Sequence, residues 1–545
     1  DQYAVGKIRL EGNTLFGEDE IRQAMLTDRG QVFNQSQFVK DLETVRDLYR
    51  DQGYILAQIQ PRLDKDEQND VVDVTLSISE GYLIFLGNVI VQGVTTFDDG
   101  TREAIGLKTR DHVILREIRM SWDERIAWKK VGSDPSVYEQ KDDVAQEREE
   151  PYVLDWGEVK KSKRRLENLG FFKKDRVEFE PQLTEDPEMM DLLVRLEEQH
   201  TGNISFGAGF STEYGASLFF GLSEKNLFGR GQALDLSGEI GSRRQSFRIG
   251  FTEPYLFDSD YSFGADLYNT TIERFSGRDF QENRKGGSIR IGRQFWEHYT
   301  WYVRLKHEAV KLDDVFYGGG RVVTEEMPPE YEELSTKVNS LTLTLVKDTR
   351  DLFQAPTKGY KNLVSLEQAG FGGTPFTKVK AETSWYTKLT QKMVLAVNGE
   401  LGAIGEFSDE IPLSERFFLG GAETVRGYEY GTISPVDFIS YWRDDHGLYL
   451  DRRDVRVGGE EMMLLKTEVR YPITDIIEGV VFVDAGGTWR ELGDFDTGVI
   501  RYSTGLGLRI QLPIGAMIRL DYGHALNPDE YQDTQPIHFS FGHSF

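Results

Sequence analysis

Apolar and polar positions alternate with a period of two through most of the chain from residue 203 onward. In the first such segment Ile204, Phe206 and Phe210 share one face, and Ser205 and Gly207 lie on the other. This alternation is typical of β-strands with one apolar and one polar face. We count about sixteen such segments, which begin near residues 203, 214, 230, 244, 260, 286, 299, 338, 359, 376, 391, 460, 478, 499, 514 and 536.

The polar faces of these strands favour a barrel over a sandwich. Arginine, aspartate and glycine recur on them, and a water-filled barrel interior accepts these residues where a sandwich core seldom does. Short connections at 390–391 and 513–515 also contrast with long ones at 311–337 and 405–458, as in barrels with periplasmic turns and external loops. We therefore predict an all-β antiparallel transmembrane barrel of about 16 strands over residues 201–545.

The first two hundred residues contain a diverged repeat of strand, helix, helix and two strands. The first copy covers residues 1–81, with helices expected at 18–26 and 37–52. The second covers residues 82–200, with helices expected at 110–120 and 156–169. Helically spaced apolar residues, among them Phe38, Leu42 and Val45, give one helix a buried stripe. We expect two small α+β modules in front of the barrel.

An insertion at residues 121–155 separates the two helices of the second copy. It is rich in charge and holds Pro135 and Pro151, and it is far longer than a usual connection between helices. We interpret it as a mobile or partner-binding segment. The alternative is a solvated loop, which is tolerated because loop length costs little free energy.

Composition excludes several classes of function. With 91 acidic and 64 basic residues the net charge is −27, which argues against a general nucleic-acid binder. There is no cysteine, so thiol catalysis and thiolate metal sites are excluded. No apolar run approaches the eighteen or so residues of a membrane-spanning helix. The chain also lacks serine-hydrolase, zinc-protease and phosphate-loop motifs, and its eight histidines show no metal-ligand spacing. We expect no enzyme, no cofactor and no metal.

The last predicted strand carries an aromatic pattern. Ile537, Phe539 and Phe541 alternate with polar residues, and Gly542 and Phe545 follow. This resembles the C-terminal recognition signal of outer-membrane barrels, in which a glycine lies three residues before a terminal aromatic residue. An ordinary closing strand is the alternative interpretation.

The longest predicted loop contains a second motif, Gly-Gly-Ala-Glu-Thr-Val-Arg-Gly-Tyr at residues 420–428. Here the chain resembles the BamA superfamily of outer-membrane assembly and secretion proteins, whose sixth external loop folds into the barrel behind a Val-Arg-Gly-Phe/Tyr tip. The resemblance implies that Arg426, followed by Gly427 and Tyr428, points at the barrel-wall carboxylates Glu468 and Asp484. A guanidinium can hold two carboxylates through forked hydrogen bonds and so fix a long loop.

The N-terminal copies resemble POTRA domains, the periplasmic modules of the same superfamily. The residues that carry this likeness lie mainly at 109–117 and 165–172 and match the barrel-proximal module of BamA most closely. The chain departs from the family pattern in its insertion at 121–155 and in having two modules where the best-studied BamA proteins have five. The resemblance implies a barrel in the bacterial outer membrane with its N-terminal domains in the periplasm.

By this resemblance the chain is expected to be an insertase that folds other β-barrels into the outer membrane through a seam between its first and last strands. Weak pairing there leaves backbone groups for a client strand to satisfy by β-augmentation. The implied partners are unfolded outer-membrane clients, accessory lipoproteins bound through the POTRA domains, and outer-membrane lipid, with no nucleic acid. The predicted seam residues are Asn203, Ile204, Phe206, Gly207, Gly209, Gly542 and Phe545.

Other functions remain open from the sequence. The nearest is a two-partner secretion protein, or another transporter of the superfamily, that exports one dedicated protein through its lumen. A passive porin explains the barrel but neither the N-terminal modules nor the loop with Arg426. A barrel-embedded hydrolase would need a serine and a histidine on adjacent strands, and nothing in the sequence points to such a pair.

Overall fold

The computed structural model describes residues 3–97, 99–120, 126, 128–131, 136–140, 151–273, 280–313, 323–326, 335–352, 355–405, 411–443, 449–512 and 517–542. The chain divides into two compact units. One comprises residues 1–201 together with 225–231, and the other comprises residues 202–224 together with 232–545.

The first α+β module has the predicted element order. Its elements are β1 (Ala4–Glu11), α1 (Glu18–Ala24), α2 (Gln35–Arg50), β2 (Gln58–Asp66) and β3 (Val71–Ser79). The sheet order is β1-β3-β2, with β1 parallel and β2 antiparallel to β3. The Asn34 side chain accepts the Gln37 N–H and so begins α2. Phe38 and Val45 of α2 pack against Val74 and Leu76 of β3 in the core.

The second α+β segment repeats this order and adds strands to it. Its elements are β4 (Phe85–Thr96), β5 (Arg102–Ile105), α3 (Asp111–Leu115), β6 (Trp128–Lys130), β7 (Val137–Gln140), α4 (Trp156–Leu169), β8 (Phe172–Leu183) and β9 (Met189–Glu198). The order β4-β9-β8 matches β1-β3-β2 of the first module. Gly170, with φ +71°, ends α4 where predicted. No helix among the described residues is long and apolar enough to cross a membrane.

Two details of this segment differ from prediction. Helix α3 is shorter than the expected 110–120, because three-residue turns such as Ile118 N–H to Leu115 C=O continue from its end. The insertion is not simply a loop: β6 and β7 form a hairpin on the edge of β4, paired through Val89 and Ile90. The hairpin satisfies backbone groups along that edge and buries Ile126 and Tyr138. Residues 131, 136 and 151–155 of the insertion are also described, and its other residues lie outside the described part of the chain.

The C-terminal unit is an antiparallel barrel with paired strands in its loops. Its strands are β10 (Gly202–Ser211), β11 (Gly215–Leu227), β12 (Gln232–Gly241), β13 (Arg244–Glu253), β14 (Tyr261–Ile272), β15 (Gln281–Trp296), β16 (Tyr299–Asp313), β17 (Val323–Glu326), β18 (Ser335–Asp348), β19 (Gly359–Ala369), β20 (Thr377–Lys388), β21 (Val394–Gly405), β22 (Gly427–Tyr428), β23 (Val436–Arg443), β24 (Tyr449–Arg456), β25 (Glu461–Pro472), β26 (Ile477–Trp489), β27 (Arg501–Gln511), β28 (Met517–Ala525), β29 (Thr534–Gln535) and β30 (Ile537–Gly542).

Sixteen of these strands close the barrel within the described part of the chain. They are β10–β16, β18–β21, β25–β28 and β30, and every neighbour but one follows its partner in chain order, the exception being β10 with β30. Each begins within five residues of a predicted segment start, so the predicted barrel of about sixteen strands is confirmed. On β26, Val481 and Val483 are exposed while Phe482 and Asp484 are buried, which separates an outer apolar face from an inner one.

Candidate functional site: the barrel loop and the strand seam

The connection between β21 and β25 folds back onto the inner wall of the barrel. Its first described limb, residues 411–419, which we call the root, leads to residues 420–428, which we call the tip. Leu413, Val425 and Tyr428 are each fully buried. The loop packs on apolar side chains of the wall: Val338, Phe376, Ile404, Met462 and Leu464. The lumen is therefore occupied by packed loop in this region.

Arg426 lies at the centre of a buried ionic cluster. Its side chain is 0% exposed. Its Nε and Nη2 donate to the two carboxylate oxygens of Asp484 at 2.7 Å each, and its Nη1 donates to Glu468 Oε1 at 2.8 Å. The guanidinium also lies 3.4 Å from the centroid of the Phe482 ring, a cation–π geometry. A lysine has a single ammonium, so it cannot make the same paired hydrogen bonds to Asp484 and stack on the Phe482 ring.

A third carboxylate, Asp521 on β28, completes what we call the acidic trio with Glu468 on β25 and Asp484 on β26. Asp521 Oδ2 lies 3.9 Å from Arg426 Nη1. Two wall arginines, Arg509 and Arg519, each donate to Asp521 at 2.7 Å. Asp484 and Asp521 are both 0% exposed. Such buried charges are tolerated because each has an oppositely charged, hydrogen-bonded partner.

Gly427 and Tyr428 bring the tip against the last two barrel strands. Gly427 has φ +90°, and a Cβ there would lie 3.0 Å from the backbone of Gly523 on β28, so only glycine fits. Its N–H donates to Nε2 of His538 on β30 at 3.0 Å. The hydroxyl of the buried Tyr428 lies 3.3 Å from Tyr502 C=O and from Asn527 Oδ1.

The tip also contacts the first hairpin of the barrel. Glu213, in the turn between β10 and β11, accepts the Ala422 N–H at 2.5 Å. Burial raises the pKa of Glu213, the hydrogen bond from Ala422 opposes that rise, and nearby Glu423 adds to it. The tip therefore contacts a residue beside the first strand, Glu213, and a residue of the last strand, His538.

The junction of the first and last strands is short. Among the described residues, which end at Gly542, strands β10 and β30 pair through two residue pairs, Phe210 with Phe541 and Ser211 with Ser540. By contrast, β10 and β11 pair through ten, and β28 and β30 through six. Gly209 and Gly542 face each other closely beside these two pairs, because a Cβ on Gly542 would lie 3.1 Å from Gly209 Cα. We call this junction the seam.

The predicted seam residues occupy different places. Ile204 and Phe206 are exposed by 81% and 79%, on the outer face of β10. Asn203, Ile204, Phe206 and Gly207 pair with β11, and none of them pairs with the described residues of β30. Gly209 and Gly542 lie at the seam, and Phe545 lies outside the described residues.

A cavity of about 550 Å³ lies between the seam and the loop tip. Its wall includes both apolar and charged side chains, among them Phe210, Phe539, Phe541, Glu213, Arg509 and Arg519. The cavity places backbone from β10, β30 and the tip around one space. Among the described residues, no group of histidine, aspartate and glutamate side chains could hold a metal ion.

The structure thus brings Arg426, Gly427, Tyr428, Glu468 and Asp484 together and adds residues that sequence reasoning missed. Asp521 and His538 were visible as polar positions in alternating strands, but alternation does not say which polar residue meets the loop. Glu213 lies in a tight turn and had no motif to mark it.

Comparison with known proteins gives the chain a family. The family model "Omp85 superfamily domain" matches residues 226–545, and the POTRA model "Surface antigen variable number repeat" matches residues 3–81. The chain is 28% identical, over 100% of its length, to the outer membrane protein assembly factor BamA of Nitratidesulfovibrio vulgaris, of which the match covers 62%. It is 24% identical over 99% of its length to BamA of Neisseria meningitidis serogroup B, covering 66% of that protein. The chain therefore spans less than two thirds of each relative.

Solved structures show the same fold. BamA from Haemophilus ducreyi lacking POTRA domains 1–3 aligns over 100% of both chains, with a TM-score of 0.67 and 22% identity. CdiB from Acinetobacter baumannii aligns over 100% of this chain and 90% of that one, with a TM-score of 0.50 and 13% identity. Because the superfamily model matches well over half of the residues, including fifteen of the sixteen barrel strands in whole or part, the chain belongs to the Omp85 superfamily.

Proposed function

We propose that this chain is the central component of an assembly machine that folds β-barrel proteins and inserts them into the bacterial outer membrane through the seam between β10 and β30. The single observation that carries the proposal is that these strands pair through two residue pairs in the part of the chain that the structure describes. The barrel lies in the outer membrane, and the N-terminal modules lie in the periplasm. The proposal assigns no enzymatic step and no cofactor.

The physical argument concerns unpaired backbone. A strand within the hydrocarbon region must have its N–H and C=O groups satisfied by protein. At the seam, β10 has a full partner on one side, β11, and a short one on the other, β30. A client strand that adds to β10 satisfies these groups by β-augmentation, and the next client strand can pair with the first.

In this proposal the loop supports the seam from inside the barrel. Arg426 fixes the tip to β25 and β26 through Glu468 and Asp484. The same tip contacts Glu213 on the first hairpin and His538 on the last strand. Opening the seam then breaks single hydrogen bonds at the tip while the ionic cluster persists.

The N-terminal segments are proposed as two POTRA domains, residues 1–81 and 82–200, that receive unfolded clients and bind accessory assembly lipoproteins. Two observations support this: the POTRA model match over residues 3–81 and the shared strand order of the two segments. The relatives named as outer membrane protein assembly factors support the general role.

A reversible disulfide across the seam tests the proposal. The chain has no native cysteine, so Ser211→Cys with Ser540→Cys introduces a single pair. These residues are Cα partners in an antiparallel ladder, where the Cα spacing of about 4.5–5.5 Å suits a disulfide. We expect oxidation to slow client insertion into liposomes by about tenfold or more, because the edge of β10 stays closed, and reductant to restore it.

Thr344→Cys with Ser365→Cys is the matched control, since these residues pair across β18 and β19 in the ordinary wall. Its oxidation should leave client insertion unchanged. Unchanged insertion with the seam disulfide fully formed would overturn the proposed route through the seam.

The second candidate is a transporter of the superfamily that exports one dedicated protein, and it stays in view because the fold likeness extends beyond BamA to CdiB. Depletion of the protein in its own cells separates the two functions. Loss of many outer-membrane barrels supports the insertase, whereas loss of one secreted product supports the transporter.

A further inference from the structure

The root of the loop carries a buried glutamate that the Arg426 cluster does not use. Glu415 is 4% exposed and precedes the tip by five residues. Arg284 Nη1 on β15 donates to Glu415 Oε1 at 3.1 Å, and Lys378 Nζ on β20 donates to Oε2 at 3.2 Å. Strands β16, β18 and β19 lie between β15 and β20. One carboxylate therefore joins the loop to two separate parts of the wall.

The backbone of the root is held by the same two cations. Lys378 Nζ donates to the Glu415 C=O at 2.7 Å, and Arg284 Nη2 donates to the Ser414 C=O. The Lys378 ammonium also lies 5.0 Å from the centroid of the Phe417 ring, two residues further along the root. These contacts fix both the side chain and the course of the chain at residues 414–417.

The cations differ in how much they depend on Glu415. Arg284 Nη1 also donates to Glu308 at 2.9 Å. The Lys378 side chain is 14% exposed. Among the described residues, the carboxylate that forms an ion pair with it is that of Glu415. Removing the charge of Glu415 would leave this buried ammonium without its paired anion, which is costly in a poorly solvated site.

We propose that Glu415 is a positioning residue that anchors the root of the loop, with charges opposite to those at the tip. At the tip a loop cation meets wall anions, and at the root a loop anion meets wall cations. The root also pairs with the part of the loop that runs from the tip back to β25. Phe417 N–H donates to Gly459 C=O at 2.8 Å, and Leu419 N–H donates to Ile433 C=O at 3.1 Å. Glu415 thereby sets where the chain enters the lumen before it reaches Arg426.

Hydrogen exchange of the full chain in lipid nanodiscs tests this anchor. Glu415→Gln keeps the shape of the side chain and removes its charge. We expect amide exchange in residues 414–419 to become about tenfold faster or more, because local opening follows the lost ion pairs. Glu429→Gln is the matched control: Glu429 lies in the same loop and has no ion pair among the described residues, so its exchange pattern should match that of the parent protein.

The double variant Lys378→Met with Glu415→Gln separates an ionic anchor from simple packing. Replacing both members removes the unpaired ammonium and also the Lys378 contacts to the root, so root exchange should stay fast if the ion pair is the anchor. Parent-like exchange in Glu415→Gln would overturn the proposal, and so would a return to the parent rate in the double variant, because it would assign the effect to the unpaired ammonium alone. The readout needs no client protein, so it stands or fails separately from the insertase function.

Discussion

Counted over the described residues, strands β25 to β28 pair with one another through twelve, ten and nine residue pairs, whereas β10 and β30 meet through two. The densely paired wall carries the acidic trio and holds Arg426. The loop contacts the sparsely paired seam through the hydrogen bonds of Glu213 and His538 and through the edge-to-face rings of Tyr214 and Tyr430. The difference teaches that one loop can be fixed firmly on one side of a barrel and released easily on the other.

The largest expected effect concerns the wall. Arg426→Ala leaves Asp484 and Glu468 buried without the cation between them, and breaking a buried pair in this way typically costs about 3–5 kcal/mol. We expect a clear fall in the temperature at which the barrel unfolds, measured by loss of heat-modifiable mobility on gels. Arg426→Lys should recover only part of the loss, because an ammonium lacks the fork.

Arg304→Ala is the control for this prediction, since Arg304 is an exposed arginine on β16 without an ion pair among the described residues. It should unfold at nearly the parent temperature. Equal unfolding temperatures for Arg426→Ala and Arg304→Ala would show that the stability of the barrel does not depend on the Arg426 guanidinium.

The next effect concerns the seam. Gly542 has φ +126°, and a Cβ there would meet Gly209 Cα at 3.1 Å, so Gly542→Ala should cost about 1–3 kcal/mol of local strain. We expect the disulfide between Ser211→Cys and Ser540→Cys to form several-fold more slowly in this background. Gly405→Ala, where the nearest atom to the added Cβ is 3.7 Å away, should leave the rate unchanged. Equal rates of disulfide formation in the Gly542→Ala and Gly405→Ala proteins would mean that the close approach of Gly209 and Gly542 does not control the geometry of the seam.

The smallest effect concerns the contact between the tip and the first hairpin. The pKa of Glu213 is raised by burial, so this carboxyl binds its proton more tightly in the folded protein than in the unfolded chain. Its stabilising contribution is present below the ordinary glutamate pKa and is lost as pH rises through the raised folded-state pKa. Glu213→Gln keeps an acceptor for the Ala422 N–H and does not titrate.

Thermal unfolding over a pH series checks this prediction. The stability of Glu213→Gln relative to the parent should increase as pH rises through that pKa, by about 1 kcal/mol or so. A relative stability that falls with rising pH would mean that the charged carboxylate is favoured at this position, for instance by attraction to Arg519.

Much of this architecture could be predicted because alternation reports a strand with two unlike faces. The sixteen strand starts follow from it, and the resemblance of the motif at 420–428 to the BamA superfamily implied the set of Arg426, Glu468 and Asp484. Asp521 could not be singled out, because it lies 95 residues beyond Arg426 in sequence and resembles every other polar position on an inner face. Glu415 lies in a loop, where no periodicity marks a buried charge.

Two other features depend on pairing between distant residues. The register of β10 with β30 joins residues more than 300 positions apart, and nothing local specifies how many pairs will form. The hairpin of β6 and β7 has strands of three and four residues, too short for alternation to stand out from the surrounding charge.

The most direct test of the central claim is the distance across the seam while a client is being inserted. Spin labels at Ser211→Cys and Ser540→Cys report the seam, and labels at Thr344→Cys and Ser365→Cys report the wall. We predict that a stalled client lengthens the distance between the seam labels and leaves the distance between the wall labels unchanged. An unchanged seam distance in protein that has a client strand inserted would contradict the account.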